Sequence, residues 1–155
     1  MKKFILFCLT LACLTSCQQD VQFNNPSFQG LKNNNFWRAS SSKAQIKDGL
    51  LIVKGYYQNE ELTLSTNVTD LNTYPLGAGA ASTAIYEIID PTNIETYTTN
   101  SESGNGYIVI NEYDTANKTI SGTFKFNAAT GSTNATAADI VNFQQGVFYK
   151  IPIQP

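Results

Sequence analysis

Alternation with a period of two is the feature that most limits how this chain can fold. In the stretch TISGTFKF (119–126), Ile120, Gly122, Phe124 and Phe126 fall on one face, and Thr119, Ser121, Thr123 and Lys125 on the other. Side chains on a β-strand point alternately to opposite faces, so this pattern is a strand with one buried side, and no helical stripe matches it. Residues 106–113, GYIVINEY, are rich in β-formers, and the polar DTANK between the two runs reads as the turn of a hairpin.

The same reasoning extends along the chain. FWRA (36–39), AQIK (44–47), LLIVKGYY (50–57), LTLST (62–66), TAIYEII (83–89), IETYTT (94–99), IVNF (140–143) and VFYKIPI (147–153) are further strand candidates. Asp48-Gly49 is a strong two-residue hairpin turn and Asp90-Pro91 opens a type I turn. GAGAAS (77–82) and NAATGSTNATAAD (127–139) break the pattern and read as loops, the second a long surface loop. Short strands at roughly ten-residue spacing predict an all-β domain. It would be a single antiparallel β-sandwich or partly closed β-barrel of about eight to nine strands.

The amino-terminal segment follows another logic. Lys2 and Lys3 precede eleven mostly apolar residues, Phe4 to Leu14. A helix crossing a bilayer core needs about 20 apolar residues, so this length suits a secretory signal. Leu14-Thr15-Ser16-Cys17 resembles the bacterial lipobox, which implies that Cys17 takes a diacylglyceryl thioether and becomes the new amino terminus. Acyl chains such as palmitate then anchor the protein, since each buried CH2 contributes roughly 0.8 kcal/mol and two chains or more hold stably. An ordinary signal peptide with a chance cysteine is the alternative. The expected organisation is a signal peptide over 1–16, a lipidated cysteine with a flexible tether over 17–35, and the β domain over 36–155. The tether reading rests on the polar run QQDVQFNNPSFQGLKNNN, with Asp20 a thin match to an acidic surface-export signal.

Composition narrows the chemistry. The chain has no histidine, and two of its three cysteines, Cys8 and Cys13, fall in the segment to be removed. With Cys17 acylated, neither a Ser-His-Asp nor a Cys-His site nor a Cys/His zinc site can be assembled, and no internal disulfide forms. The remaining eight Lys/Arg against twelve Asp/Glu leave a side-chain charge of −4 on the mature part, with no basic cluster for nucleic acid. A carboxylate-only hydrolase needs a close acidic pair. Glu112 and Asp114 share a strand face, but Asp114 opens a turn, where Asp bonds its own backbone. Glu60-Glu61 reads as a solvated hairpin tip. No calcium-loop spacing is present, so no cofactor or metal is expected.

FWRA, LLIVKG, LTL, NTYPLG, AIYE, GYIVINEYDTANKTISGTFKF and GVFYKIP occur in this order. On these stretches, over about residues 36–152, the chain resembles a family of small Bacteroidota lipoproteins described as a domain of unknown function. The resemblance implies an exported, lipid-anchored β domain and supplies no catalytic residues. The expected function is therefore a non-catalytic envelope lipoprotein, binding or structural, in the outer membrane with its face left open. Its expected partners are the membrane through Cys17 and a glycan or envelope protein. The sharper alternatives are a glycan-binding accessory protein and a barrel carrying a small apolar ligand. Trp37, Tyr56, Tyr57, Tyr97 and Tyr113 are the candidate ring platforms, against the competing reading of core or cross-strand packing. Asp114-Thr115-Ala116 resembles a short O-glycan attachment motif, which makes Thr115 a candidate modification site. Asn-x-Thr at Asn67, Asn117 and Asn134 is expected by chance in so Asn- and Thr-rich a chain.

Overall fold

The computed structural model describes residues 27–67, 70–130 and 139–155. The signal segment, Cys17, the tether as far as residue 26 and most of the 127–139 stretch, with Asn134, lie outside the described residues. The described residues form eleven strands: β1 (Ser27–Lys32), β2 (Asn35–Arg38), β3 (Ser41–Lys47), β4 (Leu50–Tyr57), β5 (Glu60–Thr66), β6 (Thr73–Gly77), β7 (Thr83–Asp90), β8 (Asn93–Thr98), β9 (Asn105–Asp114), β10 (Thr119–Ala129) and β11 (Ile140–Gln154). The domain is all-β, as its alternation requires, with more strands than expected.

The strands form two layers that meet at two corners. One layer runs β2-β1-β11-β10-β9-β6 and the other β3-β4-β5-β7-β8. Ala129 of β10 pairs with Thr98 of β8 at one corner. At the other, Ile153 and Gln154 of β11 run parallel to Ala44 and Gln45 of β3. The corners lie at opposite ends of the β10–β11 ladder, so the sheet closes into a ring while β1, β2, β6 and β9 extend one layer beyond it. The result lies between a sandwich and a barrel.

β11 makes this closure possible. IVNF and VFYKIPI, expected as separate strands, are one 15-residue strand. Its register against β10 shifts twice, between Ile120 and Gly122 and between Phe124 and Phe126. Gln145 and Lys150, at φ 50° and 49°, sit in those shifts as bulged residues. A bulge adds a residue on one strand and sharpens its bend. Bent twice, β11 pairs with β1 along Phe143–Tyr149 and still reaches β3 with its last residues.

The expected turns are present. Asp48 and Gly49 both take positive φ, 52° and 79°, as a two-residue turn matched to strand twist requires. β9 and β10 pair from Thr119↔Asp114 to Asn127↔Asn105, and β7 and β8 pair up to Asp90↔Asn93.

Three expectations are corrected. The tether does not run to residue 35, because Ser27–Lys32 is a strand between β11 and β2. Its polar composition hides an inward Phe28, 1 % exposed, whose ring meets those of Trp37, Phe124 and Phe148 at 5.9, 5.4 and 6.3 Å. β6 was not among the expected strands; Tyr74 and Leu76 point inward, and its Pro75 is tolerated because β6 is an edge strand. Finally, the first residues of the 127–139 stretch belong to β10, with Ala128 and Ala129 fully buried.

Aromatic rings fill the interior, and two glycines make room for them. Gly122 stands opposite Phe148, and Gly146 opposite Phe124. A Cβ on Gly146 would lie 2.4 Å from the Phe124 ring, and one on Gly122 2.3 Å from the Phe148 ring and 2.1 Å from the Val109 carbonyl oxygen. Each phenylalanine therefore lies over a bare backbone on the neighbouring strand, which both covers the glycine and fixes the register.

Candidate functional site

The ends of β1 and β5 carry charges on the core-facing side of their strands. Lys32 is in phase with Phe28 and Gly30, and Glu60 with Leu62 and Leu64. Alternation therefore sends both toward the interior, where an isolated charge is costly and must be paired. The Lys32 ammonium donates to Glu60 Oε1 at 2.5 Å and to the Tyr86 hydroxyl at 2.8 Å, and lies 5.0 Å from the Tyr86 ring centroid. The second carboxylate oxygen, Oε2, accepts from Trp37 Nε1 at 2.6 Å. Four strands, β1, β2, β5 and β7, thus meet in one polar clamp at the rim of the aromatic core.

The electrostatics follow from this placement. Burial, and then the neighbouring Glu60 carboxylate, push the Tyr86 phenol far above the ordinary tyrosine range. Burial and then Glu95, which accepts from the Tyr97 hydroxyl at 3.3 Å, also raise the Tyr97 phenol. Both phenols are therefore neutral donors or acceptors at physiological pH. Both Glu60 oxygens are engaged by donors, so its carboxylate serves as an acceptor that joins the two layers, not as a free base.

The candidate rings divide between three places. Trp37 is 2 % exposed and Tyr97 is buried, so both are core residues; in the pair Phe36/Trp37 it is Phe36 that faces outward, 67 % exposed. Tyr57 stands half-exposed beside the clamp, its ring 6.5 Å from Trp37 at 75°. Trp37, Tyr57 and Tyr97 thus border one rim, edge to face where Trp37 and Tyr57 meet, and form no flat platform. Tyr56 points to the outer face of β4, under the Lys43 ammonium at 5.6 Å. Tyr113 lies at the far end of β9, in a small cleft of about 210 Å3 with Thr115, Lys118 and Ile153. Thr115 is exposed in the β9–β10 turn.

The other carboxylates are held by local partners. Asp114 accepts from Asn117 N at 2.9 Å and Asn117 Nδ2 at 2.7 Å, the turn chemistry expected of it, and the backbone bond foremost holds its carboxyl below the usual range. Glu112 accepts from the Ser121 hydroxyl at 3.2 Å. Glu61 faces outward and pairs with Lys54 at 2.5 Å. Burial draws Lys54 down, but the bond and charge of Glu61 outweigh it and raise its pKa. The solvated tip expected for Glu60-Glu61 is therefore replaced by two half-buried pairs on opposite faces. Among the described residues no group of three or more acidic or thiol side chains gathers as a metal site.

Sequence reasoning passed over Lys32 and Tyr86 and read Glu60 as solvated. The signal was present: each is in phase with apolar residues of its own strand, Lys32 with Phe28, Glu60 with Leu62 and Tyr86 with Ala84. What was missing is the partner, because Lys32 and Glu60 are 28 positions apart and Lys32 and Tyr86 are 54 apart.

Comparison with known proteins adds a family. The model described as "Domain of unknown function (DUF6252)" matches residues 24–152. The chain belongs to this family. The match takes in β1 and almost all of β11, so the family unit coincides with the closed two-layer domain and not with the shorter unit expected from residue 36. No curated protein and no solved structure matches the chain.

Proposed function

We propose that this chain is an exported bacterial lipoprotein, held at the outer membrane of the cell envelope by acyl chains on Cys17. Its β domain binds or scaffolds and does not catalyse. The observation that carries the anchor is the seam itself. A short apolar segment ends in Leu14-Thr15-Ser16-Cys17, and the first described strand begins at Ser27, ten positions later. Ten residues span at most about 35 Å when fully extended, so an acylated Cys17 would keep the domain close to the bilayer. β1 runs from Ser27 to Lys32, about 17 Å at the usual rise per residue, so the Lys32–Glu60–Trp37 rim lies at the opposite end of β1 from Ser27.

The chemistry supports the non-catalytic half. Glu60, Glu61, Glu112 and Asp114 all have hydrogen-bond or ion-pair partners that explain them. The interior between the layers is occupied by rings such as Phe124, Phe126 and Phe143, with centroids 5.0 to 6.1 Å apart, which argues against a hollow carrier.

The test is the state of residue 17. Intact-mass analysis of the protein purified from a Gram-negative host should give a chain beginning at Cys17 with a diacylglyceryl group and further acylation. Detergent phase separation should recover it with the membrane lipoproteins, and Cys17→Ala should move it to the aqueous phase. A wild-type chain that is freely soluble with residue 17 bare refutes the anchor.

A further inference from the structure

The outer face of the six-stranded layer carries a groove that none of the expected site residues touches. Phe124 and Gly146 are cross-strand partners on β10 and β11. Phe124 turns inward and Gly146 has no side chain, so neither member of this pair fills the outer side above its backbone. The neighbouring rows form the walls. On one side, Tyr107 of β9 stands directly opposite Lys125 of β10, with Gln144 and the bulged Gln145 of β11 continuing the row. On the other, Thr123 pairs with Val147. The space between the rows is about 330 Å3, within the range of about 300–1,000 Å3 typical of small-ligand sites.

The lining has a definite chemistry. Tyr107 is 42 % exposed and presents an amphipathic ring. Two amides and a hydroxyl stand beside it, and these pair with alcohol groups as either donor or acceptor. Among the described residues, Lys125 is the only charged one lining the groove. Lys32 and Lys54 are matched to carboxylates, but Lys125 has no ion-pair or hydrogen-bond partner among the described residues. One row further along, a ladder of amides borders the groove: Asn127 Nδ2 donates to Asn105 Oδ1 at 3.0 Å and Asn142 Nδ2 to Asn127 Oδ1 at 2.6 Å. A ring, neutral hydrogen-bonding groups and one unmatched cation are complementary to a ligand with many hydroxyls, an apolar ring face and one carboxylate.

We propose that the groove across β9, β10 and β11 binds an acidic oligosaccharide, with Tyr107 against a sugar ring, Gln144, Gln145 and Thr123 on its hydroxyls, and Lys125 on its carboxylate. This deepens the binding reading above and is independent of the anchor, since acylation is read by mass and binding by titration of the same preparation. The experiment is isothermal titration of the full-length protein, in detergent micelles if acylated. The probes are oligogalacturonate, oligomannuronate and sialyllactose, each beside its methyl-esterified form, which keeps the sugar and removes the charge.

At least one acidic probe should bind about tenfold or more tighter than its ester, the order expected of a charge-assisted hydrogen bond. Lys125→Gln should abolish that preference by weakening the acidic form alone. Tyr107→Ala should weaken both forms, and Tyr107→Phe should retain both; circular dichroism confirms that each variant is folded. No binding by any acidic probe at millimolar concentration overturns the proposal. So does equal affinity for acid and ester, or an unchanged preference in Lys125→Gln.

Discussion

Replacing Glu60 with alanine removes the acceptor of two donors at once. Trp37 is 2 % exposed, so water does not readily reach its Nε1–H when the carboxylate is gone. An unpaired buried donor costs about 1–3 kcal/mol. The Lys32 pair contributes less, because its side chains keep 24 % and 17 % of their surface in solvent. Screened pairs of that kind add up to about 1 kcal/mol. The expected loss is therefore about 1–4 kcal/mol, within the 5–15 kcal/mol stability usual for domains. Glu60→Gln keeps an acceptor for the indole and loses only the charge, for about 1 kcal/mol. Urea unfolding followed by far-UV circular dichroism measures these losses, provided the dependence on denaturant is unchanged. The decisive comparison is a double-mutant cycle. In a Trp37→Phe background the indole donor is absent, so the cost of Glu60→Ala should fall by about 1–2 kcal/mol. A cost of Glu60→Ala below about 0.5 kcal/mol, or an equal cost in both backgrounds, refutes the clamp.

Two further outcomes follow from the packing and the titration. Gly146→Ala drives a Cβ to within 2.4 Å of the Phe124 ring and should cost about 1–3 kcal/mol by overpacking. Phe124→Leu in the same chain should relieve part of that cost, and strictly additive losses in urea unfolding would contradict the contact. The alkaline limit is set by Tyr74, Tyr86 and Tyr97, whose folded pKa values lie above that of the unfolded chain, near 10. The stability they contribute is complete below about pH 10 and is lost as pH climbs toward the folded values. Ultraviolet titration should show Tyr74, Tyr86 and Tyr97 ionising only as the fold opens. Simultaneous ionisation of all eight tyrosines in a folded chain would contradict this.

Legibility in the sequence varied with how local the deciding contact was. The β9–β10 hairpin was readable because both strands, the turn and the alternation lie within 106–126, and the ladder follows that reading apart from one shift near Gly122. The Asp48-Gly49 turn was readable because positive φ at two successive residues is a local backbone requirement. β1 was not: its strand character depends on β11, more than a hundred positions away, and on a Phe28 ring that a Cβ at Gly55 of the opposite layer would strike at 2.5 Å. The same limit applied to the candidate rings. Alternation established that one of Phe36 and Trp37 points inward, but choosing Trp37 needed the Glu60 carboxylate brought from β5.

By itself, then, the sequence determined an all-β domain, its tight turns and the set of chemistries its composition cannot support, because strand periodicity, turn conformation and side-chain inventory are local properties. Only the tertiary structure decided which strands meet, that β11 bends to join two layers, that Lys32 and Glu60 close on each other, and that Tyr107, Lys125 and Gln144 line one groove. These depend on register between distant strands, which a one-residue slip would turn inside out.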